Sequence, residues 1–131
     1  MKLKTASLSA TVDRVLSYAQ NAEDVVLERL FCRQQLGRYV DIGANHPIID
    51  SVTKHFSLRG WTGVNVEPLP DLYELLCADR PADTNLCAAV SDVPGSATLF
   101  AFPNDFNGLS TLSADISREH GLDMCRCGFV R

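Results

Sequence analysis

The stretch Val40-Asp-Ile-Gly-Ala-Asn-His-Pro47 carries the strongest fold signal in the chain. Its first residues complete a short run at 38–42 that is rich in apolar and β-branched residues and turns abruptly at Gly43. His46-Pro47 delays a helix, because proline pushes the residue before it out of the α region. This order predicts a strand, a glycine turn and then a crossover helix, which is typical of a parallel α/β sheet.

Further elements are expected on both sides of this turn. The apolar spacing predicts helices over 21–34, 49–58 and 71–79, and strands over 38–42, 62–66, 84–90 and 97–102. Asn21 is predicted to cap the first helix, and Gly37 to follow its end. The link between the last two strands is too short for a crossover, which predicts antiparallel pairing. The fold class predicted is α/β: a partial Rossmann-like sheet of parallel order 3-2-1, with an added antiparallel strand and helices on both faces.

The composition is that of an ordinary globular domain. Hydrophobic residues make up 46% and charged residues 21% of 131 residues, and the net charge is -4. An acidic chain argues against a nucleic-acid or anionic-membrane partner, both of which need a basic patch. The N-terminal stretch lacks the apolar core of a secretory signal, and no apolar run approaches the ~20 residues of a membrane span. We therefore expect a cytoplasmic protein.

The five cysteines point to thiols rather than to a metal site. Their number is odd and no export signal is present, so reduced, mostly buried side chains are expected. Cys125 and Cys127, with His120 upstream, lack the spacing of a zinc site and a second pair. No metal is predicted.

Two acidic residues suggest a ligand at the strand ends, where doubly wound sheets bind their ligands. The turn lacks the G-x-G-x-x-G dinucleotide fingerprint, which disfavours a dehydrogenase half, and Asp41 would suit a positively charged ligand better than a pyrophosphate. Glu67 lies 24 residues after Gly43, near the spacing of an acid that accepts both ribose hydroxyls. Taken separately, Asp41 could be a structural residue of the turn, and Glu67 could be a solvated carboxylate at a strand end. Together they suggest a nucleoside with a cationic group, and S-adenosylmethionine fits that description.

The sequence resembles the FkbM family of class I S-adenosylmethionine-dependent methyltransferases over about residues 17–112. The stretches that carry the resemblance are Ser17-Tyr-Ala-Gln-Asn-Ala-Glu-Asp24, Tyr39-Val-Asp-Ile-Gly-Ala-Asn-His-Pro47, Ile49-Asp-Ser-Val-Thr53, Arg59-Gly-Trp-Thr-Gly-Val-Asn-Val-Glu-Pro68, Asp79-Arg-Pro81, 85–92 and Leu109-Ser-Thr-Leu112.

The resemblance implies a site and an activity. Asp41, Gly43, Ala44 and Asn45 would line the methionine end of S-adenosyl-L-methionine, and Glu67 with Pro68 would hold the ribose. Further cofactor contacts are expected from Gln20 and Asn21, closing over the site, and from Ser91 and Asp92 near the adenine, although Asp92 could equally be structural. The acceptor would be a hydroxyl of a sugar or other small metabolite.

His46, beside the turn, is the candidate base for removing the acceptor's proton, with a structural histidine as the alternative.

The chain also departs from the family. Family members continue with a fourth parallel strand, and nothing in 113–131 resembles it. We therefore expect the N-terminal part of such a domain: a flexible tail over 1–16, a cofactor-binding half over 17–112 and a tail over 113–131. Strand one would be an exposed edge able to form a homodimer. The alternative function is a non-catalytic fragment that folds without transferring a methyl group.

Overall fold

A computed structural model describes residues 15–92, 95–102, 110–120 and 123–130, which form four helices and six strands. In chain order these are α1 (Glu23–Phe31), β1 (Arg38–Ile42), α2 (Lys54–Leu58), β2 (Thr62–Val66), α3 (Pro70–Asp79), β3 (Thr84–Leu86), β4 (Ala88–Val90), β5 (Ser96–Ala101), α4 (Ala114–His120) and β6 (Asp123–Val130). Within these ranges, no helix has the length and apolar character needed to cross a bilayer. Of the tail expected over 1–16, residues 1–14 lie outside the described residues.

The first sheet is parallel, with β2 between β1 and β3. Arg38 pairs with Thr62, and Val64 pairs with Thr84. The bounds predicted for β1 and β2 are confirmed, as is the mixed α/β class with helical crossovers. These strands were predictable because each is a short run of β-branched and apolar residues between glycine and proline signals.

The second sheet has the order β4-β6-β5 and corrects two predictions. The strand predicted over 84–90 is interrupted at Cys87, so β3 belongs to the first sheet and β4 to the second. Direct antiparallel pairing of the last two predicted strands is wrong, because β6 lies between them, parallel to β4 and antiparallel to β5. The stretch expected as a tail, 113–131, contains α4 and β6.

The first two helices are shorter than predicted. Asn21 does not cap α1: Ala22 occupies the cap position with φ of 60°, and the Asn21 amide donates to the Glu23 carboxylate instead. The helix also ends three residues before the predicted 34. The second helix starts at Lys54 rather than at 49, because Asp50 has a left-handed backbone (φ 55°) that interrupts a helix.

Two groups of apolar side chains pack together. Leu69 and Leu72, at the start of α3, pack with Leu99 and Cys127 of the second sheet. Trp61 is 7% exposed, with its ring 5.8 Å from that of Phe31 and 5.0 Å from that of Phe56. Trp61, just before β2, thus packs against aromatic rings at the end of α1 and within α2.

The expectation of mostly buried thiols is wrong. Of the four cysteines whose side chains are described, Cys127 is buried, Cys77 is half-buried, and Cys32 and Cys87 are exposed.

One edge of β1 is uncovered within the described ranges. Only β2 pairs with β1 there, and Val40 and Ile42 remain 67% and 63% exposed. This agrees with the exposed edge expected at strand one.

Candidate functional site

The turn after β1 is attached to the end of β2. The backbone N–H groups of Gly43 and Ala44 both donate to the carbonyl of Val66, at 2.9 and 3.1 Å. Gly43 and Asn45 have φ of 72° and 53°, in the left-handed region. A side-chain carbon added at Gly43 would meet no atom within 4 Å. The turn therefore presents bare backbone to open space at the carboxyl ends of the parallel strands.

Glu67 holds this turn to the start of α3. Its side chain is 4% exposed; Oε2 accepts from the Asn45 N–H and Oε1 from the Leu69 N–H, both at 2.8 Å. Burial raises the pKa of Glu67, and the nearby Asp41 carboxylate raises it further against the lowering effect of the two N–H donors. Since each oxygen accepts one of these bonds, each keeps capacity for another.

Asp41 has one oxygen engaged. Its Oδ2 accepts from the Thr53 hydroxyl at 2.5 Å, and Oδ1 accepts no hydrogen bond from any residue that the structure describes. Asp41 and Glu67 thus lie at the ends of neighbouring strands, on the two sides of the Gly43 turn. Of the predicted site residues, Asp41, Gly43, Ala44, Asn45, Glu67 and Pro68 come together here.

Arg80 is buried at the centre of a hydrogen-bond network beside the turn, and it was not among the predicted site residues. It is 3% exposed, and its Nη1 donates to Thr53 Oγ1 at 2.6 Å and to Asn65 Oδ1 at 3.0 Å. Its Nη2 donates to the Pro47 carbonyl at 2.9 Å and to Ser51 Oγ at 2.7 Å. The one available signal was the Asp79-Arg-Pro81 stretch, which carries part of the family resemblance but received no predicted role at the site.

The segment before α1 lies against the loop that follows the turn. Asp24 is fully buried and accepts from Ser17 Oγ at 2.6 Å and from the Tyr18 N–H at 2.7 Å. The Tyr18 carbonyl in turn accepts from the Ser51 N–H at 2.9 Å. Gln20 and Asn21 are carried by this segment, with their side chains exposed to solvent.

His46 stabilises the loop. Its Nδ1 accepts from the N–H groups of Ile48 and Ile49, both at 3.1 Å, and its own N–H donates to Asn45 Oδ1 at 2.6 Å. Because Nδ1 acts as an acceptor, the neutral ring carries its proton on Nε2. In this arrangement the ring presents the Nε2–H donor to its surroundings. The role of His46 as the base that removes the acceptor's proton stays a prediction.

Ser91 and Asp92 follow a strand of the second sheet, whereas Asp41 and Glu67 lie at strand ends of the first sheet. They follow β4 of the second sheet, with Ser91 Oγ 3.4 Å from Asp92 Oδ1. The end of β3 is joined to the residue that follows β2, since the Glu67 N–H donates to the Leu86 carbonyl at 3.0 Å. Across the described part of the chain, no three His, Cys, Asp or Glu side chains are placed to hold a metal ion.

The carboxylates of Asp41 and Glu67 thus flank a glycine turn that faces open space at the strand ends. A family model, described as the methyltransferase FkbM domain, matches residues 41–123, which is more than half of the chain. The match begins at Asp41 and extends through α4 to the first residue of β6. No curated protein and no solved structure matched the chain.

Proposed function

The chain belongs to the FkbM methyltransferase family, and we propose that it uses S-adenosyl-L-methionine to methylate a hydroxyl of a sugar or other small metabolite. The observation that supports this most directly is the pair of carboxylates, Asp41 and Glu67, on either side of a turn whose Gly43 faces open space. The choice of a hydroxylated acceptor rests on the family resemblance.

The residues of the turn fit the methionine end of the cofactor. Asp41 Oδ1 offers an ionised acceptor to a cationic group, and charge-assisted hydrogen bonds are stronger than neutral ones. Gly43 lets a ligand approach the backbone without meeting a Cβ. When bound, the cofactor supplies a methyl group activated by its sulfonium, so the protein's task is mainly to bind and orient.

The remaining assignments concern the nucleoside and the acceptor. Glu67 would accept ribose hydroxyls on the lone pairs left by Asn45 and Leu69, beside Pro68. We propose Ser91 and Asp92 for the adenine, and closure over the site by Gln20 and Asn21. His46 would act as base only after Nδ1 has lost its bonds to the Ile48 and Ile49 N–H groups, because both a free Nδ1 and the tautomer with a free Nε2 require this.

Calorimetric titration with S-adenosylhomocysteine tests cofactor binding. We expect wild type to bind at micromolar Kd, about -8 kcal/mol, and Glu67→Ala to lose at least about tenfold in affinity. Glu74→Ala, in the exposed part of α3, is the matched control and should bind as wild type. Because Glu67 also holds the turn, circular dichroism must show that the variant is folded; Asp41→Asn is the second variant. A folded wild type that binds nothing would refute the cofactor proposal.

Turnover is tested separately, by transfer of a labelled methyl group to a panel of sugars and other hydroxylated metabolites. Labelled product from one acceptor, lost in Asp41→Asn, would support the methyltransferase. Cofactor binding with no product from any acceptor would favour a non-catalytic fragment.

We also propose that the chain forms a homodimer through β1. The exposed side chains of Val40 and Ile42, on a strand with one unpaired edge in the described sheet, favour this association. Sedimentation velocity should then show a dimer for wild type and a monomer for Val40→Lys. Leu58→Lys, at an equally exposed apolar residue of α2, is the matched control and should stay dimeric. A monomeric wild type would refute the dimer.

A further inference from the structure

We propose that Arg80 and Thr53 are positioning residues that fix the Asp41 carboxylate for the amino-acid end of the cofactor. The proposal rests on the proposed function and deepens it, because it assigns a role to two buried side chains for which the cofactor contacts above give none. The observation that supports it is a continuous chain of two short hydrogen bonds. Arg80 Nη1 donates to Thr53 Oγ1 at 2.6 Å, and Thr53 Oγ1 donates to Asp41 Oδ2 at 2.5 Å.

The chemistry of the three groups fixes the direction of both hydrogen bonds. A guanidinium only donates and an ionised carboxylate only accepts, whereas a threonine hydroxyl has one proton to give and lone pairs to accept with. Thr53 must therefore accept from Arg80 and donate to Asp41. The threonine proton cannot turn elsewhere without losing the bond to Asp41, so Asp41 Oδ2 is held in place.

Arg80 is itself held rigidly. Besides Thr53, it donates to the Pro47 carbonyl, to Ser51 Oγ and to Asn65 Oδ1. Asn65 is fully buried, and its amide donates to Asp83 and Asn85 at 2.9 and 2.8 Å. A planar fork with several fixed donors suits this role, whereas the single ammonium of a lysine does not reproduce it.

The consequence is an Asp41 side chain with a fixed orientation and one unengaged oxygen. Oδ2 is committed to Thr53, and Oδ1 accepts nothing from the described residues. Such an acceptor, oriented before the ligand arrives, loses less conformational entropy on binding. It would recognise the cationic amino-acid end of an S-adenosyl compound and would be indifferent to the adenosine end.

Comparing two ligands therefore separates this role from general stability. S-Adenosylhomocysteine has the amino-acid end, and 5′-methylthioadenosine lacks it. We expect Thr53→Val, which removes the hydroxyl at nearly constant volume, to weaken S-adenosylhomocysteine binding about tenfold and to change methylthioadenosine binding less than twofold. Thr53→Ser retains the hydroxyl and should restore the wild-type ratio of the two affinities.

Ser51→Ala is the matched control. Ser51 is as buried as Thr53 and accepts from the same arginine, but the structure shows no hydrogen bond from its side chain to Asp41 among the described residues. This variant should leave the ratio of affinities within twofold of wild type, because Arg80 keeps its bonds to Thr53, Asn65 and the Pro47 carbonyl. Thr53→Ala is the second test variant if valine does not fold, and circular dichroism checks each protein.

The outcomes distinguish the two proposals. A selective loss in Thr53→Val, rescued in Thr53→Ser and absent in Ser51→Ala, supports the positioning role. Equal losses for both ligands, no loss, or an equal effect in Ser51→Ala would overturn it while leaving the cofactor site intact. If folded wild type binds neither ligand, the proposed function fails and the positioning role fails with it.

Discussion

Replacing Asp24 with asparagine should lower the free energy of unfolding by about 2–3 kcal/mol at neutral pH. The Asp24 carboxylate is fully buried and accepts from Ser17 Oγ at 2.6 Å, the Tyr18 N–H at 2.7 Å and the Val25 N–H at 2.9 Å. An amide keeps one oxygen for Ser17 and Val25 and turns its NH₂ toward the Tyr18 N–H. One charge-assisted hydrogen bond is lost, and the partly buried Tyr18 N–H is left without an acceptor.

The effect should depend on pH. Burial alone would raise the pKa of Asp24, but the hydrogen bonds from Ser17, Tyr18 and Val25 outweigh it and lower the pKa below its usual 3.8. A carboxylate with a lowered pKa in the folded state stabilises the fold above its unfolded pKa, and this is lost as the pH falls through the folded value. The difference between wild type and Asp24→Asn should be constant near neutral pH and shrink below pH 3.8.

Urea unfolding, followed by circular dichroism and by the fluorescence of the single tryptophan, Trp61, measures this difference. Ser17→Ala removes one donor and should cost only about 1 kcal/mol. Asp115→Asn, at an exposed residue in the first turn of α4, is the matched control and should change stability by less than about 0.5 kcal/mol. An Asp24→Asn variant as stable as wild type at pH 7, or a difference that persists unchanged at pH 3, would refute the reasoning.

Three further substitutions test the turn and the sheet. Gly43→Ala should cost about 1–2 kcal/mol, because alanine is strained at a φ of 72°, and should weaken S-adenosylhomocysteine binding, since its Cβ would enter the open space; unchanged affinity by calorimetry would contradict the assigned role. Gly63→Ala would make a Cβ clash with the Tyr39 carbonyl oxygen and should cost about 3 kcal/mol or more in urea unfolding; a cost below about 1 kcal/mol would contradict this contact. The raised pKa of buried Glu67 means that its contribution to stability is greatest below its usual pKa of 4.5 and falls as the pH rises through the folded value. The stability of wild type relative to Glu67→Gln should therefore decline above pH 4.5, and a difference that is flat with pH would argue against burial of this carboxyl.

The predictions that agree with the structure are those that depend on neighbouring residues. β1 and β2 follow from short β-branched runs, and the long helix α3 from its apolar spacing. The proximity of Asp41, Gly43 and Glu67 was predictable in the same way, because they stand at strand ends that a parallel sheet brings together.

The second sheet was not predictable from local pattern. The apolar run over 84–90 gives no sign that it changes sheets at Cys87. β5 pairs with β6, whose composition resembles an irregular tail, and the turn chemistry near β5 carries no information about so distant a partner.

Short-range preferences thus establish the parallel strands, the glycine turn and the two acidic residues beside it, because each depends on a few consecutive side chains. The orientation of Asp41 depends on folding of the whole domain. Arg80 donates hydrogen bonds to Asn65 and Pro47, which are 15 and 33 residues away in sequence. These bonds offset part of the free-energy cost of burying its charge. An arginine is mostly exposed in proteins, so its burial could not be read from its own neighbours. Only the packing of α3 against the loop after β1 brings the guanidinium to Thr53 and thereby to the site.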